Sequence, residues 1–275
     1  TVRNVGVELT LGHSYHIGNF NYSVNGNVSF IKNKLTHLNG GQVVWGDRVL
    51  SDEGLPLFEF WGYKYLGVYK SKEEADAALP GYARDGETNP YGAGDAIFED
   101  VDGDGKISDT GDKQKLGNNF PKVSYGLNLS ADWKGIDLQM FFQGVAGNKI
   151  YNAVRERTES NGLTSQLSTV MRDVWTEDNP NGTIPNPKGA NNMLNSSRFL
   201  ESGSYLRLKN VQLGYTFPKK LLNGCGISNF RVYVQASNLF TITDYTGYDP
   251  EVGSGVDYGN YPQSRSFLIG CNMTF

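Results

Sequence analysis

The strongest constraint on the fold is a strict alternation of apolar and small or polar residues in seven segments. In the last segment, Ser266–Phe275, every second residue from Phe267 to Phe275 is apolar, and the residues between them are mostly small or polar. Side chains of a strand point alternately to two faces, so this pattern predicts one apolar and one polar face. A strand between lipid and a wet lumen has such faces. A half-buried strand of a soluble sandwich alternates in the same way.

The polar faces and the connections favour the first of these two structures. The polar faces consist mainly of Asn, Gln, Ser, Gly and Thr, whereas the water-facing side of a soluble sheet usually carries more Lys and Glu. Long connections alternate with short ones, an asymmetry typical of outer-membrane barrels with their long loops outside the cell. We therefore predict an all-β chain, part of an antiparallel transmembrane β-barrel. The predicted strands lie near residues 4–11, 20–31, 123–132, 136–144, 205–217, 229–238 and 266–275, and the extracellular loops at 32–122, 145–204 and 239–265.

Aromatic residues lie near both ends of the predicted strands. Such residues form two belts at the headgroup levels of a bilayer, so they support the barrel modestly. The short-connection set is Phe20, Trp133, Tyr215, Phe217 and Phe275, and the long-loop set is Phe30, Tyr205 and Phe267.

Composition excludes several other classes of protein. No apolar run reaches the roughly 18 to 20 residues of a membrane helix, which excludes helical spans only. The net charge of -4 and the pI near 5.5 argue against nucleic acid as a partner. The two cysteines, Cys225 and Cys271, indicate neither a disulfide framework nor a zinc cluster.

One acidic loop is the best candidate for a metal site. Its spacing of acidic residues and glycine matches a calcium loop, in which the residue after the glycine donates its backbone carbonyl. The twelfth position is Gly111 instead of Glu, so Asp109 or Asp112 would have to complete the shell. The alternative is an acidic loop ordered by its own Asx turns. The candidate calcium ligands are Asp100, Asp102, Asp104, Lys106 by its carbonyl, Asp109 and Asp112.

No catalytic constellation is present in the sequence, so we expect no enzyme and no organic cofactor. The histidines at 13, 16 and 37 lie in or near predicted loops and are expected at the surface. Two loop segments, Asn148–Ser160 and Leu167–Trp175, have amphipathic helical patterns. They would contact a substrate or a partner, or only cover the mouth of the barrel. Loop aromatic residues could stack on sugars or form the core of the loops: Trp61, Tyr63, Tyr65, Tyr69, Tyr245 and Tyr248.

Long motifs in this chain resemble the SusC/RagA family of TonB-dependent outer-membrane transporters. They include GDAIFEDVDGDGKISDTGDKQKLGNNFPKVSYGLNLSADWKGIDLQMFFQGVAGNKIYN at 94–152, FLESGSYLRLKNVQLGYTFPKKLL at 199–222 and FRVYVQASNLFTITDYTGYDPE at 230–251. NVGVELTL at 4–11 and WTEDNPNGTIP at 175–185 also fit. The resemblance covers nearly the whole chain, with the motifs in the order of the family.

The resemblance implies a plugged barrel of about 22 strands, of which this chain would supply the last seven. It also implies import of glycans or peptides across the outer membrane, a SusD-like surface lipoprotein as the lid, and energy from TonB through an N-terminal part absent here. The chain begins without methionine at a residue that reads as mid-domain strand, so we expect a fragment that cannot transport alone. Two alternatives stay open: a calcium-stabilised extracellular β-sandwich module or adhesin, and a TonB-dependent siderophore or cobalamin receptor.

Overall fold

Seven long antiparallel strands form one continuous sheet in the computed structural model, which describes residues 1–78, 82–84, 87–89, 91–160, 166–189, 192–224 and 226–275. Each strand pairs with its neighbours in chain order, so the first and last strands have one partner each. The strands are β1 (Val2–Ile17), β2 (Phe20–Leu35), β3 (Val123–Trp133), β4 (Ile136–Ala146), β5 (Tyr205–Thr216), β6 (Asn229–Thr243) and β7 (Ser266–Thr274).

A strand lies at each of the seven predicted places, but several strands are longer than the alternation indicated. β1, β2 and β6 extend by four to six residues beyond a predicted end. Backbone pairing continues where the side-chain pattern weakens in β1 and β2, and past a shift of register near Asn238 in β6. The upper end of β2, for example, reads Lys-Asn-Lys-Leu and still pairs with β1. The long loops are therefore shorter than predicted and cover residues 36–122, 147–204 and 244–265, named here the first, second and third long loops.

Two of the short connections are tight turns whose residues explain their shape. Gly18 has a φ of +61°, which suits the first central position of a two-residue hairpin turn. Lys134 and Gly135 both have positive φ, of 49° and 90°, as a type I′ turn requires. A Cβ on Gly135 would lie 2.6 Å from the carbonyl oxygen of Thr216, so only glycine fits. In the third connection a helix spans Lys219–Leu222, and Cys225 lies outside the described residues.

The register collects the apolar side chains on one face of the sheet. Leu213 lies opposite Val234, and Val234 lies opposite Ile269, so the three share this apolar face. Their exposed fractions are 48%, 50% and 82%. The other sheets of the described chain all lie in the long loops, so the apolar face stays bare. A soluble sandwich would bury this face against a second sheet; the interpretation as a sandwich module is therefore not supported.

The three long loops form a folded layer with sheets of its own. Most of the buried apolar residues lie there, around Tyr63 and Phe98 and around Phe60 and Phe199. The loop sheets comprise Val43–Trp45, Val49–Ser51, Glu59–Gly62 and Gln114–Asn118; Lys149–Asn152, Leu200–Ser202 and Val256–Asp257; Tyr65–Val68 and Ala96–Phe98; and Tyr82–Arg84 and Glu87–Asn89.

Helical structure in this layer is shorter than the sequence predicted. The segment Asn148–Ser160 contains a helix only at Ala153–Thr158, because Lys149–Asn152 forms a strand that pairs with two other loop strands. The segment Leu167–Trp175 contains a 3-10 helix at Thr169–Asp173. A further helix covers Lys72–Ala77 and a 3-10 turn covers Ser197–Phe199. None of the helices in the described residues is both long and apolar enough to cross a membrane.

Candidate functional site: polar wall, loop layer and acidic loop

The face of the sheet opposite the apolar face is a polar wall of hydrogen-bonded side chains. Near the short turns, Arg231 pairs with Asp137 across β5, with 2.9 Å between Nε and Oδ2. The same guanidinium donates to Gln212 at 2.9 Å, and Gln212 donates to Gln235 at 3.1 Å. Gly214 lies beneath this network, and a Cβ there would come within 2.4 Å of Arg231 and Asp137. The glycine therefore lets a charged cluster lie flat along the wall.

A second charged cluster joins the polar wall to the third long loop. Arg207 of β5 is buried, with an Nη2–Oδ1 distance of 2.8 Å to Asp249 and 3.2 Å from Nη1 to Glu251. Burial alone would raise the pKa of Asp249, but donors from Arg207 and from two backbone N–H groups outweigh it, so this pKa lies below its usual value. Tyr205 is 5% exposed and donates its hydroxyl to Glu251. The prediction that Tyr205 belongs to a headgroup belt is therefore wrong.

Buried ion pairs within the second long loop are joined by hydrogen bonds to the third long loop. Glu159 is 1% exposed and accepts from both Arg155 and Arg198, each at 2.7 Å. Arg155 also pairs with Glu201 at 3.0 Å, and Glu201 accepts from the backbone and hydroxyl of Thr246. Because every charge in this group has a partner, its burial is tolerated. Sequence reasoning missed this network; its only local signal is the Arg155–Glu159 spacing of one helical turn.

A cavity of about 450 Å³ lies between these two loops, a volume within the usual range for ligand sites. Both predicted helical segments line it, at the helix Ala153–Thr158 and at Ser168 and Val170. Tyr248 from the third loop also lines it and is 70% exposed. The arrangement offers an aromatic face and apolar groups above a neutralised polar floor.

Three of the other loop aromatic residues are buried. Tyr63, Tyr69 and Tyr245 are between 1% and 6% exposed and belong to the loop core. Burial, together with a hydrogen bond to Asp257, raises the pKa of Tyr245. These three rings are therefore loop core and are not available to stack on a sugar.

The acidic loop brings together three of the six predicted metal ligands. Oxygen atoms of Asp100, Asp102 and Asp112 lie within 4.8 Å of one another, and Asp112 is fully buried. Each carboxylate accepts from backbone N–H groups of the loop, as an acidic loop ordered by Asx turns also would. Asp109 instead accepts from the hydroxyl of Tyr63 and lies 3.5 Å from Lys113. The carboxylate of Asp104 accepts from the N–H of Lys106. The assignment of this loop as a metal site stays a prediction.

The histidines lie at the surface, as the sequence analysis expected. His13 and His16 are exposed residues of β1, where a short connection had been predicted. His37 lies 3.1 Å from Glu53 at the start of the first long loop.

Comparison with known proteins gives relatives over the whole length of the chain. No model of a protein family matches. TonB-dependent receptor P3 of Formosa agariphila is 32% identical over 305 residues, which cover 100% of this chain and 29% of that receptor. TonB-dependent receptor SusC of Bacteroides thetaiotaomicron is 25% identical over 284 residues, covering 100% of this chain and 26% of SusC. This chain thus spans less than a third of the length of these relatives.

A solved structure decides the assignment. The structure of the RagAB peptide transporter superposes with a TM-score of 0.81 at 27% identity, covering 100% of this chain and 29% of the transporter chain. The chain belongs to the SusC/RagA type of TonB-dependent receptors. The predicted fold class is confirmed, since the seven-stranded sheet is a segment of a TonB-dependent receptor barrel. The SusC and RagAB matches favour this type over a siderophore or cobalamin receptor.

Proposed function

We propose that this chain forms part of the wall and the extracellular loops of a TonB-dependent importer of glycans or peptides in a Gram-negative outer membrane. The sheet with its bare apolar face and its polar wall carries the proposal. In a bilayer, strands persist only in a closed barrel, and such a barrel has lipid on one face and a polar lumen on the other. The likeness to a peptide transporter and to SusC supports the substrate class.

The proposed partners follow from the position of the loops. All three long loops leave the same end of the sheet and form one folded layer, a surface suited to a SusD-like lipoprotein lid. TonB would act through a segment outside these 275 residues and would supply the energy. The chain itself has no proposed catalytic role.

Uptake measurements in cells test this function. We expect that deleting the receptor abolishes uptake of one class of labelled glycan or peptide. Deleting TonB or the SusD-like lipoprotein should have the same effect. Unchanged uptake of every oligosaccharide and peptide in a broad panel would overturn the proposal.

We also propose that the cavity between the second and third long loops contacts the substrate through Tyr248. Aromatic contacts contribute about 0.5 to 1.5 kcal/mol. Tyr248→Ala should therefore raise the substrate concentration that gives half-maximal uptake roughly 2- to 10-fold. Tyr261→Ala is a matched control, because Tyr261 is 90% exposed on the same loop and does not line the cavity. Equal effects of the two variants would contradict the assignment.

For the acidic loop, we propose that Asp100, Asp102 and Asp112 hold Ca²⁺, which prefers carboxylate and carbonyl oxygens. The role would be to stiffen the first long loop. Calorimetric titration of the full-length receptor with calcium should show saturable binding that Asp102→Ala weakens, while Asp76→Ala on the helix Lys72–Ala77 leaves it unchanged. Absence of binding at millimolar calcium would refute this site.

A further inference from the structure

The apolar face of β2 ends at a group of cations. Its apolar band runs from Phe20 to Phe30, ten residues or about 33 Å of strand, which at a tilt of about 40° spans about 25 Å of bilayer. That height equals the apolar band of an outer-membrane barrel. The next two side chains on the same face are Lys32 and Lys34, and the register places Arg3 directly opposite Lys34.

These three cations have no hydrogen bond or ion pair with any other residue that the structure describes. All three are exposed. The nearby acid Glu53 is already engaged by His37 and by the N–H of Leu38. An uncompensated positive patch is unusual here, because the whole chain carries a net charge of -4.

A cavity of about 370 Å³ adjoins the patch, between the end of β2 and two parts of the first long loop. Lys32, Lys34 and Lys122 all line it, together with two asparagines, and none of its described lining residues is acidic. In the cavity beside Tyr248, by contrast, Glu159 neutralises Arg155. The cavity at β2 therefore combines concave shape with unbalanced positive charge, which suits an anionic ligand.

We propose that Arg3, Lys32 and Lys34 form a binding site for the phosphate groups of a glycolipid in the outer leaflet of the surrounding membrane. The site lies on the lipid-facing side, within about four residues of the end of the apolar band. Long cationic side chains at this level place their charges among head groups while their alkyl stems stay on apolar surface. The inference rests on the proposed function for the membrane location.

Native mass spectrometry of the full-length receptor tests this site. The probes are lipid A, the phosphorylated glycolipid, its dephosphorylated form and inorganic phosphate, each added to receptor in nanodiscs. We expect the triple variant Arg3→Gln, Lys32→Gln, Lys34→Gln to bind lipid A roughly 100-fold more weakly than the wild type. The control variant Lys134→Gln, Lys219→Gln, Lys220→Gln removes the same charge at the short-turn end and should bind like the wild type.

Three outcomes would overturn the site: lipid A binding unchanged in the triple variant, equal binding of the dephosphorylated form, or equally tight binding of inorganic phosphate. Uptake assays keep this question separate from the proposed function. If the triple variant loses bound lipid A and still imports, the result supports the site. If the wild-type receptor does not import, the result refutes the proposed function and leaves the site unaffected.

Discussion

Replacing Val24 by arginine should block assembly of the receptor, whereas the same change at the adjacent Asn25 should be tolerated. Val24 is 37% exposed on the apolar face, about 10 Å in height from Phe20 and about 15 Å from Phe30, hence near the middle of the bilayer. Arginine at this depth costs about 2 to 4 kcal/mol, a roughly 30- to 700-fold loss in the folding equilibrium. Asn25 lies on the polar wall, and the register places Gly12 opposite it. Because Gly12 has no side chain, a long side chain at position 25 has room.

The assay is the amount of heat-modifiable receptor in outer membranes, read as a mobility shift on gels between unheated and boiled samples. Val24→Arg should remove most of the folded band, and Asn25→Arg should leave it near the wild-type level. Equal loss in both variants would refute the assignment of the two faces, as would equal tolerance.

Three further outcomes are expected. Gly135→Ala should destabilise the β3–β4 turn by about 1 to 3 kcal/mol, because φ is +90° and the Thr216 oxygen is too close, and Lys134→Gly should not; denaturant titration measures both. Asp249→Asn should cost about 3 kcal/mol, since Arg207 is left buried with only Glu251, and hydrogen exchange should rise in the third loop. The pKa of Asp249 in the folded state is below its unfolded value of about 3.9. Its contribution to stability is therefore present above that pH and lost as the pH falls through the folded pKa. Proteolysis of the third loop should accelerate in acid but not between pH 6 and 8.

The sheet could be predicted from sequence because alternation with a period of two reports directly on two different environments. The prediction of strand ends failed where both faces become polar, as at the upper end of β2, and where glycine and histidine interrupt the pattern, as in the last third of β1. It also failed where an irregularity shifts the register, as near Asn238 in β6. There the backbone pairing decides the end of the strand, and pairing leaves no trace in local hydrophobicity.

The loop layer could be predicted only in part, because its contacts join residues far apart in the chain. Glu159 pairs with Arg198, which is 39 positions away in the sequence. The hydroxyl of Tyr245 donates to a residue in another part of the same loop. Local patterns marked the segment around residues 148–160 as amphipathic but could not show that Ile150 and Tyr151 pair as a strand. The acidic loop was located by its spacing, whereas the burial of Asp112 depends on the packing of the first long loop.

The central claim is that one face of this sheet contacts lipid and the other contacts water. Spin labels placed one at a time along β2 from Phe20 to Phe30, in the full-length receptor in bilayers, test it most directly. Collision rates with oxygen should be high at even positions, and collision rates with a water-soluble nickel complex should be high at odd positions. Equal accessibility of the two faces to both reagents, or a second protein layer that shields the even positions, would contradict the account.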